Sequence, residues 1–169
     1  MTKRRGRGAD GSGQALVEFA LVAPFFFLLM FGVIQVGLIF AGQNALVNGV
    51  REAARYAAPY RVVDSSGAAT TCSTVSTKLT NVLQGSLIGF SATSLVPTIT
   101  YTWKQATDGT YYVTVTVAAA YKFPLYVPIV GNFMDGMDGA QDGKLRLSAS
   151  EEMRIENDPL AASDTTTTC

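Results

Sequence analysis

The chain has 169 residues, with 13 basic and 13 acidic side chains and no histidine. Zero net charge argues against bulk nucleic-acid binding, which needs a basic surface. Lack of histidine excludes His-based triads, histidine zinc sites and imidazole general bases. No G-x-S-x-G, P-loop or C-x-x-C motif occurs, so no catalytic residue, cofactor or small-molecule substrate is assigned.

Residues 1–13 read as a polar, glycine-rich leader in which Lys3, Arg4, Arg5 and Arg7 face a single acid, Asp10. A basic leader before an apolar run predicts a cytoplasmic N-terminus and export of the chain beyond the run. From Phe19 to Ala41 there is no formal charge. As helix this run spans roughly 34 Å at about 1.5 Å per residue, enough to cross a bilayer. It exceeds the about 7–15 residues of a secretory h-region, so retention as an anchor is expected. Pro24 lacks an N–H and predicts a kink. Gly32 and Gly37 are small positions where another helix can approach, and Gln35 is either a cross-helix hydrogen-bonding group or a tolerated amide. Ala45, Leu46, Gly49, Val50, Ala53, Ala54 and Ala57 then recur at three- and four-residue steps, the mark of an amphipathic helix. One continuous helix over 14–58 is therefore predicted, roughly 65 Å long by the same rise. Its first half is expected in lipid and its second half on a soluble domain. Pro59 ends it.

Residues 59–71 read as a small-residue linker and 72–156 as an exported domain. Val75, Leu79, Val82 and Leu83 share one face, which predicts a short helix from Cys72 to Leu87. The period then becomes two. Leu95–Trp103 and Tyr111–Ala119, separated by an Asp108-Gly109 turn, predict an antiparallel hairpin. Pro97 places the start of the first strand at an edge. Residues 123–133 read as an apolar proline loop, and MDGMDGAQDG as a turn-rich loop ending at Gly143. Its Asp135, Asp138 and Asp142 do not match the spacing of an EF-hand, and no metal is assigned. Lys144–Glu156 reads as a third strand and 157–169 as a flexible tail. Cys72 and Cys169 both come after the apolar run, so export would let them pair; free thiols or bonds between chains are the alternatives. The fold class is α+β: a long N-terminal helix on a small domain with a short helix and an antiparallel sheet of about three strands.

Glu18 stands at the leading edge of the apolar run, where a charge needs a job or a partner. The stretch Gly13-Gln14-Ala15-Leu16-Val17-Glu18-Phe19 resembles a type IV prepilin processing site. In that family a peptidase cuts after a glycine and a glutamate stands at the fifth mature position. The run from Gly13 to Gly37, together with REAARYAA over 51–58, resembles TadE-like proteins, the minor pilins or pseudopilins of tight-adherence (Flp, type IVc) pili. LRLSASEEMRIE resembles the end of that domain.

The resemblance implies cleavage between Gly13 and Gln14, with a prepilin peptidase as partner. It implies an assembly role for Glu18 and Phe19, with other pilins, tight-adherence assembly proteins and inner-membrane lipid as neighbours. In filaments of this family the fifth-position glutamate is thought to meet the N-terminal amine of a neighbouring subunit. An opposite charge offsets the burial of an isolated acid. The simpler alternative places Glu18 at the lipid headgroups, favoured by the positive end of its helix. The rival reading of the whole chain is an uncleaved single-pass membrane protein with a small extracytoplasmic binding domain. Both place the C-terminal domain outside the cytoplasm, and the resemblance implies a bacterial inner membrane.

Overall fold

A computed structural model describes residues 10–58, 65–139, 142–155 and 167–168. The first element is α1, Asp10–Ala57, a single helix of 48 residues. It starts four residues before the expected Gln14 and runs through Pro24 without interruption. Helix α2 covers Ser65–Ser86, so it begins well before the expected Cys72 and takes in the second half of the expected linker. Residues 59–64 lie outside the described residues.

A short 3-10 turn at Ala92–Ser94 leads into β1, Leu95–Gln105. Strand β2 is Tyr111–Pro124 and β3 is Lys144–Arg154. Each neighbouring pair is antiparallel. Two residues of the tail, Thr167–Thr168, form β4 against Thr100 and Tyr101 of β1. The sequence suggests a flexible tail up to its terminal cysteine; this short piece of it pairs instead, and 156–166 and Cys169 lie outside the described residues. The sheet order is β3-β2-β1-β4, so three long strands carry the α+β arrangement, with β2 between the other two. Pro97 stands opposite Ala119 of β2, and on the other side of β1 the described pairing reaches only Thr100 and Tyr101.

Alternation explains the sheet. Along β2, Val113, Val115, Val117, Ala119, Tyr121 and Phe123 all point inward and are buried, as are Ile99 and Tyr101 of β1. Period two sends every second side chain to the same face. That face meets two helices. Cys72, Val75, Leu79 and Leu83 of α2 are buried at three- and four-residue steps, and so are Leu46, Val50, Ala53, Ala54 and Ala57 of α1.

Small side chains on α1 set how closely the layers approach. A Cβ on Gly49 would stand 2.8 Å from Leu83 Cδ2, and one on Gly42 would stand 2.8 Å from Phe123 Cε2. Neither position holds more than a hydrogen atom without displacing a core side chain. Beside this contact, Gln43 Nε2 donates to the Ser148 carbonyl at 2.9 Å. It thereby satisfies an acceptor on β3, an edge strand whose open groups otherwise invite pairing with another chain.

The hairpin turn is built by its own side chain. The Asp108 carboxylate accepts from the Thr110 N–H at 3.0 Å and from its hydroxyl at 2.6 Å, while Gly109 takes φ 85°. These contacts, the hydroxyl first, hold the Asp108 carboxyl below its usual range. Lys122 on β2 does the same for Asp142, with help from the Lys144 N–H. On the outer sheet face Lys104 donates to Glu152, which lowers the carboxyl and raises the ammonium.

This packing makes two outcomes measurable. Gly49→Val forces atoms into the Leu83 contact, and overpacking of this kind costs roughly 1–3 kcal/mol. Denaturant unfolding of the detergent-solubilised chain, followed by Trp103 fluorescence, should show a lowered midpoint; an unchanged midpoint would place α1 and α2 further apart than described. For Asp108, Asp142 and Glu152 the folded pKa lies below the unfolded one. Their contribution is complete above the ordinary carboxylate range near pH ~4 and is lost as pH falls through the lower folded values. The effect is small because the groups are exposed. The thermal midpoint should therefore sag in acid, and Asp108→Asn with Asp142→Asn should make that sag shallower. An identical acid profile would remove these carboxylates from the response.

Candidate functional site

The N-terminal half of α1 is bare. Leu16, Val17, Phe19, Leu21, Val22, Phe25, Phe26 and Leu29 are all exposed, Phe25 to 76%. Phe27 stacks on Phe31 with ring centroids 6.2 Å apart, and Phe26 meets Phe27 edge-on. The helix is long and apolar enough to cross a membrane, with none of its most hydrophobic window buried by the rest of the chain. A helix apolar on all sides is stable only inside a protein core or a bilayer. One long apolar N-terminal helix of this kind is compatible with a single-pass membrane protein.

At the leading edge, Gln14 Nε2 donates to Glu18 Oε1 at 3.1 Å. The pair is four residues apart, one helical turn, and exposed. Gly13 lies in helix, and a Cβ there would meet nothing within 4 Å. No positive φ is found at this glycine either. Neither packing nor backbone conformation among the described residues asks for glycine at 13.

Contact with the domain begins sooner than the sequence suggests. Burial on α1 starts at Gln35, which is fully buried inside the run expected to face lipid. Its Oε1 accepts from the backbone N–H groups of Tyr126 at 3.0 Å and Val127 at 3.2 Å. Gln35 Oε1 thus bonds to a segment of its own chain. Its Nε2 has no partner among the described residues.

The segment it holds is helical at its far end. The sequence predicts a loop over 123–133, but Pro128–Asp138 form α3. Pro128 stands at the start of the helix, where its missing N–H goes unneeded, and Gly139 closes the helix with φ 76°. The glycines and aspartates of MDGMD mask this helix; Pro128 and Gly139, spaced as start and stop signals, are the available clue. Gly32 receives α3, with Val130 Cγ2 at 3.8 Å from where a Cβ would stand, while Gly37 has open space.

The acidic loop works inward. Asp135 is 5% exposed and accepts from the N–H groups of Asp142 at 3.2 Å and Gly143 at 2.9 Å. Asp142 pairs with Lys122 at 2.7 Å. No cluster of three or more metal-ligating side chains occurs among the described residues. Cys72 is buried and disulfide-bonded; Cys169, the one other cysteine of the sequence, lies outside the described residues.

The bare helix, the Gly13–Glu18 edge and the docking at Gln35 all fall on α1, and so does the likeness to known proteins. The family model described as TadE-like protein matches residues 13–55. Residues 13–55 are a TadE-like segment. The match starts at the glycine before Gln14 and stops two residues short of the end of α1. It therefore coincides with the helix and leaves α2, α3 and the sheet outside it. No curated protein and no solved structure gives a significant match to the chain.

Within the TadE-like segment, Gln35 is the residue whose replacement is most informative. Gln35→Leu leaves the N–H groups of Tyr126 and Val127 without their acceptor, a penalty of about 1–3 kcal/mol for buried groups. Amide hydrogen exchange over 125–131 should speed up, with the β2–β3 ladder unchanged. Unaltered exchange in that segment would show that Gln35 does not hold it.

Proposed function

We propose that this chain is a structural minor pilin of a tight-adherence pilus system, processed by a prepilin peptidase after Gly13. The observation that carries the reading is the TadE-like match over 13–55, which begins at Gly13 and includes Glu18 and the apolar run. Two features of the fold support it. The glycine at 13 has no packing role among the described residues, which fits a residue read by an outside enzyme. The bare sleeve of α1 has apolar surface on all sides, which fits a helix held first in the inner membrane and then among the helices of other pilins. The protein makes no bond itself; it is a substrate and a subunit.

In this reading the mature chain starts at Gln14, and Glu18 is its fifth residue. Glu18 then offers a carboxylate to a neighbouring subunit's N-terminal amine, and that pairing rewards correct register. The Gln14 amide that bonds Glu18 in the single chain is the group this contact would displace or share. In the same reading Cys72 is disulfide-bonded to Cys169, the one other cysteine of the sequence.

The deciding experiment is the intact and N-terminal peptide mass of the protein from its own cells, with and without the prepilin peptidase. A chain beginning at Gln14 only when the peptidase is present is the expected result. Retention of Met1–Gly13 in both would leave an uncleaved membrane-anchored binding protein. Glu18→Ala should still be cut but should fail to appear in sheared pilus fractions; parental levels there would remove Glu18 from assembly.

A further inference from the structure

Helix α3 lies lower along α1 than a bilayer leaves room for. Val130 packs at Gly32, and Gln35 holds the two residues just before α3. Glu18 is the last charge before the apolar run, so lipid begins at about Phe19. Gly32 is then about 20 Å and Gln35 about 24 Å along the helix axis, at about 1.5 Å per residue. A hydrocarbon core is about 30 Å thick. Both contacts fall short of the far boundary, and tilting the helix sinks them deeper.

The surface at that level is suited to the place. Phe133 of α3 is 77% exposed, the most exposed large apolar side chain among those described. Ile88, just after α2, is 64% exposed, and Tyr126 is 47% exposed and donates its hydroxyl to the Ile88 carbonyl at 3.3 Å. Gly89 keeps this contact close: it takes φ 67°, and a Cβ there would stand 2.2 Å from the Tyr126 oxygen. Phe31 and Ile34, in the turns of α1 that receive α3, are also exposed. The apolar surface of the span therefore continues onto the underside of the domain. Helix α3 has two acids and no lysine or arginine; Asp135 is turned inward onto backbone N–H groups, and Asp138 is the last residue of the helix.

We infer that α3 and the Ile88–Tyr126 contact form a lip that docks on the outer leaflet of the membrane holding α1, with Phe133 inserted at the boundary of headgroups and acyl chains. The inference rests on the reading of α1 as a membrane anchor. An amphipathic helix with one apolar face lies in the plane of that boundary, and aromatic rings favour it. Without basic residues on α3, docking does not depend on anionic lipid. The domain is thereby fixed in height and tilt against the membrane instead of swinging on a free stalk.

Tryptophan quenching by brominated phosphatidylcholine tests this with the full chain reconstituted in vesicles. The native Trp103 sits at the far end of the β1–β2 hairpin and reports the unquenched level. In a Trp103→Phe background, Phe27→Trp reports the middle of the span and Phe133→Trp reports the lip. The expected result is loss of Phe133→Trp emission, greater with bromines near the headgroups than near the bilayer centre, and the opposite order for Phe27→Trp. The loss should be the same when anionic lipid is added. Phe27→Trp quenched but Phe133→Trp no more quenched than Trp103 would overturn the lip and leave the anchor intact; a second copy or another protein covering Phe133 gives this result. Neither quenched would overturn the anchor and the lip together. Ile88→Trp, at another exposed position, gives an independent reading of the lip if Phe133→Trp does not fold.

Discussion

Everything in this chain hangs on one stripe of α1. Gln35, Gly42, Leu46, Gly49, Val50, Ala53, Ala54 and Ala57 descend one side of the helix and are buried against the domain. The stripe is made of small residues where α1 meets bulky ones, Leu83 at Gly49 and Phe123 at Gly42. Close approach lets dispersion contacts accumulate over a long line rather than at a point. Between Phe19 and Phe31 the stripe is gone, and the same helix is apolar all round. A single continuous backbone thus carries two different surfaces, and only the side chains change.

That change explains which parts are legible in the sequence. The uninterrupted charge-free run and the later three- and four-residue steps announce one long helix, and α1 is one helix. Alternation around Val113, Val115 and Val117, with Asp108-Gly109 before it, announces the hairpin, because period two and a turn with positive φ at glycine are strong local signals. The start of α2 is hidden: SSGAATT has no apolar stripe of its own, so it reads as linker although it is helical. Helix α3 is hidden for a different reason. Its proline and glycines are loop-like in composition, and its identity lies in position, Pro128 at the start and Gly139 at the stop.

The candidate site divides in the same way. Glu18 is conspicuous because a carboxylate beside an apolar run is anomalous wherever it occurs. Gln35 is visible as a polar residue in the span, but its partners are not. They are backbone N–H groups some ninety residues later in the chain, and backbone donors leave no mark in a sequence. The three aspartates of the loop draw attention by their spacing, yet Asp135 serves the turn that returns the chain from α3 to β3.

Carrying both surfaces on one rigid rod has a consequence for how such a chain can vary. An α-helix turns about 100° per residue. The direction in which the bare sleeve presents Phe25–Phe27 is therefore locked to the direction in which Gly42 and Gly49 present the domain. Adding or removing a single residue between them would leave each half intact but rotate one about the other by more than a quarter turn. Substitutions along the sleeve alter its chemistry alone, whereas changes of length alter which way the domain faces relative to the sleeve. Rotational phase is thus a property the helix transmits from the sleeve to the domain without any moving part.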